Sequence, residues 1–163
     1  MKFLLLNAVL LLSIAAFSQE TNDPELAKNE LKVNAAYLLG GFPEFSYSRI
    51  LNDESTVGIS IAFSIDSDIY YNYFVTPYYR FYFGKKRAGG FFIEGNTSLF
   101  SEESVIGTDE IGFGAGFSLG GKLISKSKKW TGELLLGVGR NFVNTDVLEG
   151  AYPRFGVSVG RRF

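Results

Sequence analysis

Residues 111–123 read IGFGAGFSLGGKL. Ile111, Phe113, Ala115, Phe117 and Leu119 share one parity; Gly112, Gly114, Gly116, Ser118 and Gly120 share the other. Successive side chains of a β-strand point to opposite faces, so this stretch has one large apolar face and one nearly bare face. The GFGAG within it is not a dinucleotide loop, because it lies inside a strand pattern and no helix follows.

The same rhythm recurs on both sides. Val57, Ile59, Ile61, Phe63 and Ile65 oppose Thr56, Gly58, Ser60, Ala62 and Ser64, and Leu31, Val33, Ala35, Tyr37 and Leu39 share a face near the start. Clusters of turn-forming residues (GGFP, NDES, DSD, GKKRAG, SEESVIGTD, SKSKK, NTDVLEG) separate these runs. The pattern predicts strands at Glu30–Leu39, Glu44–Leu51, Thr56–Ile65, Ile69–Phe83, Gly90–Phe100, Glu110–Ile124, Trp130–Phe142 and Ala151–Phe163. No helix is expected among them. The fold class read from this is all-β, an eight-stranded antiparallel up-and-down barrel spanning residues 30–163.

The face opposite the apolar one carries charge in mid-strand. By parity it holds Glu44, Arg80, Glu94, Lys122, Glu133, Arg154 and Arg162. Two arrangements explain such alternation. In a membrane barrel the charges line the interior and the apolar face meets lipid. In a secreted, soluble ligand-binding barrel the apolar face turns inward. Segments of ten residues or more suit tilted membrane strands better than ordinary soluble ones. Aromatic residues near the segment ends (Tyr37, Tyr71, Tyr73, Phe83, Phe91, Trp130, Phe142, Tyr152 and Phe163) suit interfacial girdles.

The first residues, MKFLLLNAVLLLSIAAFSQE, place Lys2 before an apolar run and end it in small residues. That is the pattern of a secretory signal peptide with cleavage expected after Ser18, followed by a polar leader at 19–29. The apolar run is short of the roughly 20 residues a spanning helix needs.

Composition excludes much chemistry. The 163-residue chain has no Cys and no His, and a net charge of −1. Disulfides, thiolate nucleophiles, Ser-His-Asp triads and His- or Cys-ligated metals are therefore absent. No cofactor, metal or nucleic-acid partner is expected, and no enzyme activity. The acidic pair Glu102 and Glu103 falls in a polar segment read as a solvated loop.

Residues 153–163, PRFGVSVGRRF, separate the two barrel arrangements. Phe155, Val157 and Val159 share a face that closes on Phe163. This resembles the C-terminal signal of bacterial outer-membrane barrels, which their assembly machinery reads. Arg161 departs from it by standing where an apolar residue is usual; from there it is expected to snorkel to lipid headgroups. With ELKVNAAYLLGGFPEFSYSRIL (30–51) and YFVTPYYRFYFG (73–84), the chain resembles a family of small bacterial outer-membrane β-barrels of the eight-stranded OmpX and OmpA kind. The resemblance implies fold and an outer-membrane location, and brings no activity with it.

An eight-stranded barrel has room only for side chains. Its charges must pair, and Arg80 with Glu44, Glu94 and Glu133 is the expected centre of a network. Tyr70, Phe74, Tyr78, Arg80 and Tyr82 are expected to point inward and face a wall of glycines (Gly112, Gly114, Gly116, Gly120, Gly137, Gly139, Gly156 and Gly160). Pro77 predicts a bulge or kink. With the N-terminus on the periplasmic side, one rim would carry Asp66, Asp68, Glu102, Glu103, Asp109, Asp146 and Glu149. The other would carry Lys85, Lys86, Arg87, Lys126, Lys128 and Lys129. The functional expectation is a monomeric, plugged barrel with a structural or envelope-interaction role beside lipopolysaccharide and other outer-membrane lipids. A narrow channel for ions or small solutes is the alternative.

Overall fold

The computed structural model describes residues 27–66, 69–103 and 108–163; the expected signal peptide and most of the leader lie outside the described residues. The strands are β1 (Asn29–Asn34), β2 (Glu44–Ile50), β3 (Ser55–Phe63), β4 (Tyr71–Tyr82), β5 (Gly90–Glu103), β6 (Asp109–Ile124), β7 (Trp130–Asn141) and β8 (Ala151–Arg162). Helix α1 (Ala35–Leu39) joins β1 to β2. Each strand pairs antiparallel with its sequence neighbours, and β1 pairs with β8 to close the barrel.

Tight turns at 51–54, 83–89 and 125–129 mark one end of the barrel, called here the turn end. Backbone hydrogen bonds knit this rim together: Asn29 and Phe163 exchange both bonds (3.0 and 2.9 Å), Tyr82 N–H donates to Glu54 (2.7 Å) and Arg162 N–H to Lys129 (2.8 Å). The other rim, the loop end, carries α1 and the longer connections.

The distribution of side chains is inverted relative to a soluble barrel. Leu134 is 63 % and Leu136 73 % exposed on the outer surface, whereas Glu94 is 0 % and Lys122 2 % exposed within. Strand parity dictates this: alternate residues share a face, and closure sends one face wholly inward.

Several elements differ from the sequence reading. β1 ends at Asn34, and Ala35, Tyr37 and Leu39 belong to α1 rather than to a strand face. Asn34 causes the break. Its Oδ1 accepts from the Tyr37 N–H (3.4 Å), capping the helix, and from the Val157 N–H of β8 (3.2 Å). Its Nδ2 donates to the Phe155 carbonyl (3.1 Å). The side chain thus replaces the next ladder pair and frees the backbone to turn.

Pro77 makes no bulge. It faces outward opposite Ile59, and the β4–β5 register is the same on either side of it (Val75 with Leu99, Tyr78 with Asn96). The irregularity falls instead between Tyr71 and Tyr73. Tyr70 lies before β4 and is exposed, not inward; Tyr71 packs on Phe74 and Phe100 in its place. β5 runs on to Glu103, so Glu102 and Glu103 pair with Glu110 and Asp109 in strand rather than loop, and Glu102 is buried. Tyr152, read as a girdle residue, points into the lumen; Phe83, Phe91, Trp130 and Phe142 are exposed near the two ends.

The glycines also act differently. They do not face the aromatics across the lumen but sit beside them in the ladder. Phe100 pairs with Gly112, Phe92 with Gly120 and Tyr152 with Gly139, and each ring leans over the glycine next to it, where a Cβ would overlap the ring. A ring covering a bare backbone position on the adjacent strand fills volume and shields the ladder.

Candidate functional site

The lumen has two zones. Toward the turn end and through the middle lies a chain of alternating charges. It runs Glu44–Arg154–Glu94–Arg80–Glu133–Lys122–Glu30–Arg162 and draws on every strand except β3. Arg154 Nη1 lies 3.3 Å from Glu44 and its Nε 2.7 Å from Glu94. Arg80 bridges Glu94 through Nε and Glu133 through Nη1, the latter at 2.7 Å. Lys122 Nζ reaches Glu133 at 3.6 Å and Glu30 at 3.1 Å. Arg162 Nε meets Glu30 at 3.0 Å, and Lys32 Nζ joins at Glu133 (3.2 Å). β3 contributes the Ser60 hydroxyl, which accepts from Arg154 Nη2 at 3.5 Å.

All seven residues expected inside are placed in this chain. Glu30 and Lys32 complete it, and both were missed. Their parity is legible in the sequence, since Leu31 and Val33 between and beside them belong to the apolar face. The signal passed over was that β1, though short, still alternates.

The cations Lys32, Arg80, Lys122, Arg154 and Arg162 outnumber the carboxylates Glu30, Glu44, Glu94 and Glu133 by one. Aromatic faces absorb the excess: Arg80 lies 4.6 Å from the Tyr78 ring centre and 4.5 Å from that of Phe92, and Lys122 is 5.0 Å from Tyr82. A buried charge lacking partners costs several kcal/mol, so this interlocking is what makes a charged interior tolerable.

At the turn end the lumen is closed by backbone. Arg162 Nη1 and Nη2 donate to the carbonyls of Arg87 (3.0 Å) and Ala88 (2.7 Å), drawing the 83–89 turn beneath the barrel. Ala88 is fully buried and held at φ 45°, a left-handed conformation unusual for alanine. Lys85, Lys86, Arg87, Lys126, Lys128 and Lys129 belong to this rim. Asp66, Glu102, Glu103, Asp109, Asp146 and Glu149 lie at the loop end, and Asp68 falls outside the described residues.

The loop end holds the second zone, which is aromatic. Phe74 and Phe100 stack at 4.8 Å, and Tyr152 tilts against both (5.7 and 5.3 Å).

On the outer wall, Phe155, Val157 and Val159 point away from the lumen, and Arg161 lies over the Trp130 ring, 5.9 Å from its centre. Glu30, Glu44, Glu94 and Glu133 are each engaged by at least one cation, whereas Glu102, buried at the loop end, has an Oε2 without a hydrogen-bond partner. Among the described residues no cluster of three or more metal-ligating side chains gathers. The arrangement is built to hold the wall together.

The chain matches no family model and no curated relative. Among solved structures it is similar to the N-terminal β-barrel domain of Pseudomonas aeruginosa OprF, at 13 % identity and a TM-score of 0.63. The match covers 84 % of this chain and 98 % of that one. At that identity the likeness concerns the fold.

Proposed function

We propose that the protein is an integral outer-membrane β-barrel whose lumen is plugged by its own charge chain, with a structural or envelope-interaction role and no catalytic one. The carrying observation is the inversion: exposed leucine, isoleucine, valine and phenylalanine outside, interlocked Glu, Lys and Arg inside. A soluble ligand-binding barrel would place these sets the other way round. The fold similarity to a barrel domain of a bacterial OprF supports the same reading. Lipopolysaccharide and phospholipid are the neighbours this surface fits, and the outward Phe155, Val157, Val159 and Phe163 are proposed as the stretch that assembly machinery recognises.

The plug follows from the same chain. Arg80 and Glu94 meet in mid-lumen, and Arg162 with the 83–89 turn closes the end. The test is extraction followed by planar-bilayer recording. The protein is expected to stay with membranes in a carbonate wash, to shift on gels when heated, and to give no conductance steps. Release by carbonate overturns the membrane reading, and discrete steps abolished by Glu94→Gln overturn the plug in favour of a narrow channel.

A further inference from the structure

The wall of the barrel is not of even height. At the turn end the rims are knit level, so differences in strand length emerge at the loop end. β1 has 6 residues and β2 has 7, against 16 in β6 and 12 in β8. A tilted strand gains about 2.5 Å of height per residue. β1 thus rises about 15 Å, well short of an apolar band of about 25 Å, while β6 exceeds it.

Above Asn34 the seam is open. β8 continues from Val157 to Ala151 with β7 on one side and no strand of β1 on the other. Its amides at Phe163 and Val157 point toward β1, donating to the Asn29 carbonyl and the Asn34 side chain. Pro153 has the same parity, so the residue without an N–H sits where no strand waits for one.

Helix α1 and its return loop occupy this notch. Tyr37 packs edge-on against the outward Phe155 (4.7 Å), Phe42 against Tyr37 (5.9 Å), and Phe42 against the lumenal Phe74 (6.1 Å). A file of rings therefore passes through the wall from outside to inside. Behind it lies a cavity of about 290 Å³ bounded by Tyr37, Phe42, Phe155, Phe74 and Tyr152, with the paired Arg154 and Glu44 as its floor. On the outer side Leu38 and Leu39 are exposed, and Gly40 and Gly41 follow, the latter at φ 81°. Only glycine adopts that angle freely, which makes this pair a natural hinge.

We propose that the notch is a lateral portal, gated by α1, through which one hydrocarbon chain of a membrane lipid enters the outer half of the lumen. The proposal rests on the membrane reading above. The occupant follows from what the portal faces and how it is lined. It opens at the height of the leaflet's hydrocarbon, its walls are chiefly apolar with aromatic rings prominent among them, and its floor charges already have each other. Its volume lies at the small end of ligand sites, about 300–1,000 Å³, suited to one chain rather than a whole lipid.

Trp130 is the sole tryptophan, which gives the experiment a clean background. Wild-type protein and two reporters, Trp130→Phe with Phe74→Trp and Trp130→Phe with Phe92→Trp, are placed in nanodiscs of phosphatidylcholine brominated on its chains. Gel shift on heating verifies folding, and Tyr152→Trp replaces Phe74→Trp if the latter does not fold. Bromine quenching is expected at the outer-wall Trp130 and at the position-74 reporter to at least half that extent, with almost none at position 92. Ala62→Phe, which fills the cavity from β3, should abolish quenching at position 74 alone. If Trp130 is quenched and position 74 is not, the portal is overturned while the membrane barrel stands. Equal quenching at 74 and 92 also overturns it. If Trp130 itself escapes quenching, both readings fall.

Discussion

The two halves of the lumen fill the same narrow space by opposite chemistry. Near the turn end, charged side chains interlock; near the loop end, Phe74, Phe100, Tyr152 and Tyr71 pack ring on ring. Where all eight strands stand side by side, a charge finds partners on several of them. Above Asn34 the wall loses β1, and rings filling the gap need no partner of opposite sign. A charged core thus demands a complete wall, while an aromatic core tolerates an incomplete one.

The sharpest way to break that contrast is Glu133→Ala. Arg80, Lys32 and Lys122 converge on this carboxylate. Its loss leaves cations buried without their main partner, and removal of one member of a buried pair costs about 3–5 kcal/mol. Urea unfolding in lipid vesicles, followed by the heat-dependent gel shift, should show a loss of that order or failure to fold. A change below about 1 kcal/mol would mean that water or the remaining carboxylates compensate.

Phe100→Ala tests the other half. Truncating a buried phenylalanine ordinarily costs about 3–5 kcal/mol. The neighbouring cavity lets this site collapse in part, so a value near the lower limit, about 3 kcal/mol, is expected in the same assay. Equal sensitivity to the Glu133 variant would erase the distinction between the halves.

The glycines provide a finer measure. Gly112→Ala and Gly139→Ala push a methyl group into the rings of Phe100 and Tyr152 and should cost about 1–3 kcal/mol. Gly95→Ala and Gly132→Ala meet nothing within 4 Å on the outer surface and should stay within about 0.5 kcal/mol of wild type. Equal effects at the two sets would show that backbone freedom, not ring packing, explains why glycine stands there.

Strand parity made much of this legible in advance. Mid-strand charges such as Arg80, Glu94 and Glu133 could be assigned to one face because β-structure alternates with period two whatever surrounds it. Parity failed where the backbone left the strand. Ala35, Tyr37 and Leu39 continue the alternation of β1 in sequence, yet the Asn34 side chain bonds to Phe155 and Val157, some 120 positions away in the chain, and starts a helix there instead. Tyr70 differs for a related reason: beside the irregularity at Tyr71 and Tyr73, one residue exchanges inside for outside. Tyr152 keeps the inward parity of Arg154 and Gly156 in an unbroken β7–β8 register, so its place near a strand end does not make it a girdle residue.

By itself the sequence determined the strand number, the two faces and seven of the charges that share the lumen, because these depend only on local alternation and turn chemistry. Tertiary structure alone decided which glutamate meets which cation, which ring covers which glycine, and that the wall is notched beside β8. Those depend on register between strands distant in sequence, and register is set by closure of the whole barrel.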